Sequence, residues 1–405
     1  MMYFYMVQES IYKNIAIVGC GAAGGFLSVL LCKNPYNKVT AFDLKEPFVT
    51  LLPTGGGRCN LTFDEDDLKE FVKNYPRGEK FLMSVLSKIG QRKTRELFKD
   101  LGIKTYVQRD KRVFPVSDSS AKIISDLKKH LDTDNFKHIK EKVISVSDNL
   151  NEFVIQTEKS SYNFDYLVIA TGGKGNGFWL AKNLGHRIID PKPSLTALDI
   201  EEKDFYKLSG MSFKNVDASF KMGKKKYNCS GDVLFTHKSI SGPCIFKISS
   251  LTAYEEISLN NPLVIEMRMS SLTDEEIENI IKENSKKTVK NVFSSFVPEN
   301  FISVVLEKNN IDSNKQAAQL KKTEKEILIH SITSLKLHVI GRIKDSEIVT
   351  AGGVDLDEVN SKTMESKILN GLYFIGEVLN IDGFTGGFNL QNCWSTAYIC
   401  SMNFN

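Results

Sequence analysis

Two glycine-rich segments at opposite ends of the 405-residue chain carry residue types that suit a phosphate-bearing ligand. The first covers residues 19–24 and the second covers residues 371–391. Glycines let the backbone approach a flat polar ligand and point N–H groups at it. The second segment also places carboxylate, hydroxyl and amide side chains among its glycines. One nucleotide site built from both segments is the simplest interpretation, and FAD is the ligand that fits it best.

The first segment has the context of a dinucleotide-binding turn. An apolar strand at 15–18 precedes Gly19-x-Gly21-x-x-Gly24, a helix is predicted from 25 to 31, and a strand at 38–43 ends in Asp43. In this motif the glycines permit a tight turn, close approach of a pyrophosphate and close helix packing, while the acidic residue binds a ribose diol. An ordinary α/β glycine turn is the alternative. The predicted contacts are Gly19, Gly21, Ala22, Ala23, Gly24, Asp43, Leu44 and Lys45.

A run of three glycines at 55–57 is followed by Arg58, Cys59 and Asn60. Consecutive glycines cost chain entropy and suggest a required backbone conformation, although a flexible loop remains an alternative. An adjacent arginine can pair with phosphate. The predicted cofactor contacts here are Gly56, Gly57, Arg58, Cys59 and Asn60.

A fully apolar run at 166–170 suits a central strand of a parallel sheet, and it ends in Thr-Gly-Gly. Ligands of open α/β sheets bind outside the carboxyl ends of such strands. Alternating residues at 143–146, 152–157 and 160–163 predict a small meander before it. The predicted contacts from this region are Val143, Ala170, Thr171, Gly172 and Gly173.

Within the C-terminal segment, Glu377 and Asp382 are interpreted as ligands of cofactor hydroxyls or phosphates rather than as catalytic bases. The last helix is predicted at 392–402. The contacts predicted from this segment are Gly376, Glu377, Asp382, Gly386, Gly387, Phe388, Asn389 and Leu390.

Two side chains are candidates for catalysis. Cys59 lies beside the glycines and Arg58, where a thiolate would be favoured, but the absence of a C-x-x-C partner favours a packing role over a catalytic one. His237 lies in the loop Leu234-Phe-Thr-His-Lys-Ser-Ile-Ser-Gly-Pro243 and could donate a proton to a substrate, or it could be structural.

Composition excludes several classes of protein. A net charge of +4 with scattered lysines gives no nucleic-acid footprint, and the run Lys224-Lys225-Lys226 is interpreted as a solvated turn. Seven cysteines without a C-x-x-C pair argue against a disulfide framework and a zinc site, so no metal is expected. No export signal or run of about 18 apolar residues occurs, which predicts a cytoplasmic protein without membrane contact. The oligomeric state is left undefined.

The chain is predicted to be an α/β protein with a Rossmann-like FAD-binding domain assembled from both termini. Residues 1–193 and 338–405 form that domain. Residues 194–337 change character: short strand-like pieces precede a Lys/Glu/Asn-rich helical stretch at 273–325. This segment is predicted to be an inserted substrate or cap domain.

Seven segments together resemble a family of bacterial FAD flavoproteins that are described as aminoacetone oxidase-like or bile-acid-pathway reductase-like. They are G-C-G-A-A-G (19–24), G-G-G-R-C-N (55–60), R-V-F-P-V-S (112–117), A-T-G-G (170–173), L-F-T-H-x-x-I-S-G-P (234–243), T-A-G-G-V (350–354) and the long final segment (371–391). The resemblance implies that the inserted domain combines a small β-barrel with helices. It also implies that the flavin ring lies against 55–60 and 376–391.

The same resemblance implies an oxidoreductase that acts on a small organic molecule, with enone reduction as one activity and NAD(P)H as electron donor. No second G-x-G-x-x-G segment is present, so NAD(P)H would bind transiently. A flavin-binding scaffold, an FAD/folate-type RNA-modifying protein and an NAD(P)-only dehydrogenase are the alternatives. The near-neutral charge argues against the RNA-modifying class, and the C-terminal glycine segment argues against the last class.

Overall fold

The structure is a computed structural model that describes residues 12–149 and 152–405 and divides into two compact units. The first unit is formed by the chain up to Lys192 and again from Val349 onward, and the second is Pro193–Ile348. The boundary expected after residue 337 falls inside a strand, Leu335–Arg342. Residues 1–11, on which the expectation about an export signal depends, lie outside the described residues.

The N-terminal part of the first unit contains both strands and helices, and it opens with the strand, helix and strand that the sequence predicts around Gly19. Its elements are β1 (Lys13–Val18), α1 (Ala22–Leu31), β2 (Asn37–Phe42), β3 (Thr62–Phe63), α2 (Leu68–Val72), α3 (Glu79–Leu86), α4 (Gln91–Asp100), β4 (Thr105–Val107), β5 (Arg112–Pro115), α5 (Ser120–Lys129), β6 (Phe136–Ile139), β7 (Val143–Asn149), β8 (Glu152–Thr157), β9 (Ser161–Phe164), β10 (Tyr166–Ile169), α6 (Gly177–Asn183) and β11 (Ile188–Ser194). The predicted meander is present as the antiparallel sheet β7-β8-β9.

The second unit contains a closed six-stranded barrel with helices, which confirms the predicted architecture. Its elements are β12 (Leu198–Ile200), β13 (Ser212–Met222), β14 (Lys225–Phe235), β15 (Ile240–Ser241), α7 (Pro243–Leu251), β16 (Leu263–Arg268), α8 (Asp274–Glu283), α9 (Val289–Phe293), α10 (Glu299–Lys308), α11 (Lys322–Thr333) and β17 (Leu335–Arg342). The barrel order is β12-β15-β14-β13-β16-β17. It has its own apolar core, in which Phe205, Phe213 and Phe235 pack together with Phe301.

The chain then returns to the first unit with β18 (Val349–Val354), β19 (Leu372–Phe374) and α12 (Phe388–Ser401). Parallel pairing gives a five-stranded sheet in the order β19-β10-β1-β2-β6. Because β19 pairs with β10, both ends of the chain build one sheet, as predicted. The residues of β1 from Ile15 to Val18 and those of β10 from Leu167 to Ile169 are almost completely buried, as expected for central parallel strands.

Two further features bear on the site. Helices α1 and α12, which follow the two glycine-rich segments, pack against each other. Among the described helices, none is both long and apolar enough to cross a bilayer.

Candidate cofactor-binding site

The turn between β1 and α1 has the geometry that its glycines predict. Gly19 has φ 98° and donates its N–H to the carbonyl of Phe42 at 2.8 Å. A Cβ atom at Gly19 would lie 2.5 Å from the carbonyl oxygen of Ala170, and one at Gly24 would lie 1.9 Å from the carbonyl oxygen of Gly19. Both contacts are far below van der Waals distance, so these two positions require glycine. The turn thereby brings the start of α1 against the carboxyl end of β10.

The start of α1 offers free backbone donors. Gly21 precedes the helix, no side chain caps it, and Ala22 is its first residue. The first N–H groups of a helix have no intrahelical partner and carry the positive end of its dipole. Ala22, Ala23 and Gly24 can therefore donate to a phosphate group, as the sequence predicts.

Asp43 follows β2 and is tied to the same turn. Its Oδ2 accepts from the N–H of Cys20 at 2.8 Å, and its Oδ1 accepts from the N–H of Lys45 at 2.9 Å. The carboxylate is half-buried, whereas Leu44 and Lys45 are exposed. Each carboxylate oxygen can accept more than one hydrogen bond. Asp43 can thus hold the turn and still accept from a ribose diol.

The triple glycine forms an open, left-handed segment. Gly55, Gly56 and Gly57 have φ values of 57°, 67° and 82°. No atom lies within 4 Å of a Cβ built at Gly56 or Gly57. The space beside these two residues is therefore available to a ligand, which fits the predicted contact.

The side chains of Arg58 and Cys59 both contact other parts of the protein. The Arg58 guanidinium lies 4.1 Å from the ring centroid of Phe114 and 3.8 Å from Asp118, so it already has a cation–π contact and an anionic neighbour. Cys59 is completely buried, and burial raises the pKa of its thiol to about 12, against a smaller lowering by a hydrogen bond with Thr54. At neutral pH Cys59 is thus a thiol, which favours the packing role over a thiolate. Its neighbour Asn60 is buried with no hydrogen-bond partner for Oδ1.

The carboxyl end of β10 also carries an unpartnered polar atom. Thr171 Oγ1 is buried and has no hydrogen-bond partner. The next residue, Gly172, has φ 70°, and a Cβ built there would lie 3.9 Å from Oε2 of Glu377. At Gly173 a Cβ would lie 2.6 Å from the side chain of Thr350. The Thr-Gly-Gly sequence at the end of β10 thus lies close to Thr350 in β18 and to Glu377 in the C-terminal glycine-rich segment.

Val143 is buried at the start of β7, and its carbonyl accepts from Asn176 Nδ2 at 2.7 Å. Its carbonyl is therefore partly engaged inside the protein.

Glu377 is an acid of the C-terminal segment whose pKa is raised in the folded protein. It follows Gly376, which has φ 72° and whose Cβ would lie 2.8 Å from Cβ of Ala23 in α1. Burial raises the pKa of Glu377 to about 7; the Asp382 carboxylate adds to this effect, and Lys174 opposes it. A half-buried carboxyl with this pKa is partly protonated at neutral pH. It can therefore either donate or accept a hydrogen bond at the end of β10.

Asp382 and Asn389 hold the loop itself. Asp382 is completely buried, and both of its oxygens accept from the guanidinium of Arg77. Asn389 Oδ1 accepts from the N–H of Gly383 at 2.7 Å, and its Nδ2 donates to the carbonyl of Gly383 at 2.8 Å. These two side chains fix the loop before α12. Arg77 was not among the predicted residues, because an isolated arginine in a polar stretch carries no sequence signal of a distant buried partner.

A second uncapped helix begins where this loop ends. Gly386 and Gly387 have φ values of 135° and 99°, and Gly387 precedes α12 without a capping side chain. The N–H groups of Phe388, Asn389 and Leu390 are the first of the helix and are free of intrahelical partners. The Phe388 side chain points into an aromatic cluster with Phe63, Phe71 and Tyr75.

The residues present fit an FAD group on three grounds. Two helices of the same unit begin uncapped, open glycines lie beside Arg58, and polar atoms of Asn60 and Thr171 are buried without partners. Buried polar atoms are rarely left unsatisfied in proteins. Short approaches also link Gly19 to Ala170 and Gly376 to Ala23, and Gly172 lies near Glu377, so segments distant in sequence meet at one edge of the sheet.

His237 lies in the second unit, after β14, and its side chain is exposed. It is accessible to solvent, and its predicted role in proton donation stays a prediction.

Comparisons with known proteins identify the family of the chain. The family profile described as "HI0933-like protein Rossmann domain" matches residues 13–403. A ribosomal RNA dihydrouridine synthase of Haemophilus influenzae is 30% identical over 97% of this chain and 98% of that protein. A 3-dehydro-bile acid delta(4,6)-reductase of Clostridium scindens is 29% identical over 96% of this chain and 98% of that protein. The resemblance to bile-acid-pathway reductase-like flavoproteins is thereby confirmed.

Among solved structures, the fold is similar to the E. coli quinol fumarate reductase FrdA, with a TM-score of 0.50, 13% identity, and coverage of 97% of this chain and 70% of that chain. It is equally similar to a chain of the Mycobacterium smegmatis Sdh1 complex, with a TM-score of 0.50, 11% identity, and coverage of 97% and 68%. These two likenesses confirm the fold alone.

Proposed function

We propose a function that starts from the family to which this chain belongs, the HI0933-like family of FAD-dependent oxidoreductase-type flavoproteins. The proposal is that the protein reduces a carbon–carbon double bond conjugated to a carbonyl group in a small organic molecule. Bound FAD would supply hydride chemistry, and the electrons would come from NAD(P)H. The protein would bind, orient and tune that group. The observation that carries the proposal is the meeting of the two glycine-rich chain ends at one edge of the parallel sheet.

Each set of residues would have a distinct task. The free N–H groups of α1 would hold phosphate, and Asp43 would accept from a ribose diol. The N–H groups at the start of α12 would favour negative charge that develops nearby. Glu377 would hydrogen-bond a cofactor hydroxyl, and Cys59 would pack. His237 is the candidate proton donor to the substrate.

The relative from Clostridium scindens supports this substrate class, because its name describes reduction of a steroid with an oxidised 3-position. The test is anaerobic mixing of the purified holoprotein with NADH or NADPH, followed by a panel of cyclic enones. Bleaching of the flavin absorbance by NAD(P)H and its return on addition of an enone would support the proposal. A flavin that NAD(P)H reduces but that no enone reoxidises in the absence of oxygen would contradict the substrate class.

A second candidate substrate is uridine in ribosomal RNA. Two full-length relatives, from Haemophilus influenzae and Escherichia coli, carry the name ribosomal RNA dihydrouridine synthase, at 30% and 27% identity. The C5–C6 double bond of uracil is conjugated to the C4 carbonyl, so the chemistry is the same. Incubating unmodified ribosomal RNA with enzyme and NADPH, then digesting it for mass spectrometry, distinguishes the two. A gain of two hydrogens on uridine would favour RNA, and its absence alongside enone turnover would favour the small molecule.

A further inference from the structure

The hairpin of β13 and β14 carries four exposed lysines that no role above uses. Lys221 lies near the end of β13, Lys224 lies in the turn, and Lys225 and Lys226 begin β14. We name these four residues the basic hairpin. Lys221 and Lys226 lie directly opposite each other in the antiparallel register. Like charges in this position destabilise a sheet, so the stability of the barrel does not account for them.

The ammonium groups of the basic hairpin are also not neutralised locally. Within the part of the chain that the structure describes, none of the four forms an ion pair with a carboxylate. By contrast, Lys214 near the start of β13 does form an ion pair, because its Nζ lies 2.6 Å from Oδ2 of Asp232. Lys225 instead lies 4.8 Å from the ring centroid of Tyr227. The basic hairpin is therefore a concentrated positive charge in a chain whose net charge is only +4.

A polar groove of about 540 Å³ adjoins the basic hairpin on the outer face of the barrel. Besides Lys226, its lining includes hydroxyl and amide groups of Ser219, Asn228 and Ser230, together with Arg268. The groove also contains two carboxylates, Asp217 and Glu266. Positive charges beside neutral donors and acceptors match phosphate beside ribose hydroxyls and base edges. The carboxylates can accept from 2′-hydroxyl or amino groups.

We propose that the basic hairpin and this groove bind the sugar–phosphate backbone of a structured RNA. The inference deepens the second candidate substrate and rests on it. An anionic membrane is the weaker partner, because the hairpin turn 222–225 exposes no large apolar side chain for insertion, and Met222 is half-buried.

The test compares RNA binding by the holoprotein with that of two charge-matched variants. The hairpin variant carries Lys221→Gln, Lys224→Gln, Lys225→Gln and Lys226→Gln. The control variant carries four changes in or near the helices of the same unit, namely Lys282→Gln, Lys286→Gln, Lys287→Gln and Lys322→Gln. The probes are a fluorescein-labelled ribosomal RNA stem-loop, read by anisotropy over a range of salt concentrations, and phosphatidylglycerol vesicles.

Wild type is expected to bind the stem-loop with strong salt dependence. Because each lost phosphate contact lowers the slope of log affinity against log salt by about 1, the hairpin variant should lose about 3 to 4 from that slope and at least ~10-fold in affinity. The control variant should lose much less. No RNA binding by wild type at low salt, equal losses in both variants, or lysine-dependent binding to vesicles but not RNA would overturn the inference.

The outcome is separable from that of the redox proposal. Bound FAD and reduction of a small enone should be unchanged in the hairpin variant, which shows that the variant is folded. Hairpin-dependent RNA binding without uridine reduction would support the surface and remove RNA as the substrate of the flavin. Uridine reduction that is undiminished in the hairpin variant at limiting RNA concentration would overturn the surface and leave the redox chemistry standing.

Discussion

Replacement of Glu377 by glutamine gives the most quantitative test of the site. The pKa of Glu377 is raised from its ordinary 4.5 to about 7, first by burial and then by the Asp382 carboxylate. The folded protein therefore binds an extra proton between these two pH values, and its stability falls as the pH rises through that window. Above pH 7 the charged carboxylate costs about 3 kcal/mol, at 1.36 kcal/mol per pKa unit. Glu377→Gln removes this cost, so it should stabilise the FAD-free protein by up to about 3 kcal/mol at pH 8 and by little at pH 5.

Urea unfolding followed by tryptophan fluorescence measures the difference in unfolding free energy, and the signal comes from the first structural unit, which contains Glu377. Both tryptophans lie in the first unit, and Trp394 is completely buried against Phe26 and Phe98. Midpoints are compared at pH 5 and pH 8 for wild type, for Glu377→Gln, and for Glu158→Gln, which changes an exposed glutamate of the same unit. If wild type and Glu377→Gln show the same change in urea midpoint between pH 5 and pH 8, the pKa of the Glu377 carboxyl is not raised to about 7.

Four further changes test other parts of the site. Asp43→Ala should weaken FAD affinity by ~1–3 kcal/mol through loss of charge-assisted hydrogen bonds, and unchanged FAD retention on dilution would place Asp43 outside the site. Asp382→Ala should destabilise the first unit by ~3–5 kcal/mol, because it leaves the Arg77 charge without its carboxylate. A double variant with Arg77→Met and Asp382→Leu should lose less stability. Equal losses in the two variants would contradict a stabilising ion pair between Arg77 and Asp382. Cys59→Ser should keep bound FAD and most of the rate of flavin reduction by NAD(P)H, and loss of turnover with an intact flavin spectrum would show that the thiol takes part. His237→Ala should keep FAD and, if His237 donates the proton, slow substrate turnover by about 10²–10⁴-fold, and an unchanged rate would remove that role.

Local sequence patterns predicted three of the five strands of the sheet, β1, β2 and β10, because their physical causes are local. The strand, turn and helix around Gly19 follow from an apolar run and from positions where only glycine fits, as the 2.5 Å approach to Ala170 shows. The apolar run at 166–170 likewise predicted β10, which the structure ends at Ile169. The two glycine-rich ends together predicted one domain built from both termini, but the pairing of β19 with β10 that joins them is known only from the structure.

The start of the last helix was predicted at residue 392, and this was wrong, because α12 begins at Phe388. Asn389 and Gln391 look like loop residues in the sequence. In the structure Gln391 is completely buried and bonds Thr62, Thr94 and Ser395, so the polar residues mark a buried network rather than a loop. A helix that is buried on nearly all sides shows no amphipathic period.

Side-chain roles depend on contacts between distant residues, which sequence position does not reveal. Arg58 lies beside the open glycines, but its guanidinium also contacts Phe114 and Asp118, which come from another part of the chain. Cys59 has a basic neighbour in sequence, but burial dominates the pKa of its thiol. Asp382 was predicted from motif position to contact a ligand, and the structure engages its carboxylate with Arg77.

The identity of the bound group is the most direct test of a site built from both chain ends. The measurement is the absorbance spectrum of the purified protein, followed by chromatography of the flavin that heat releases. A yellow protein with the two visible bands of oxidised flavin, releasing FAD rather than FMN, is the expected result. A colourless protein that takes up no FAD on reconstitution would contradict the assignment of residues 19–24 and 371–391 to one dinucleotide site.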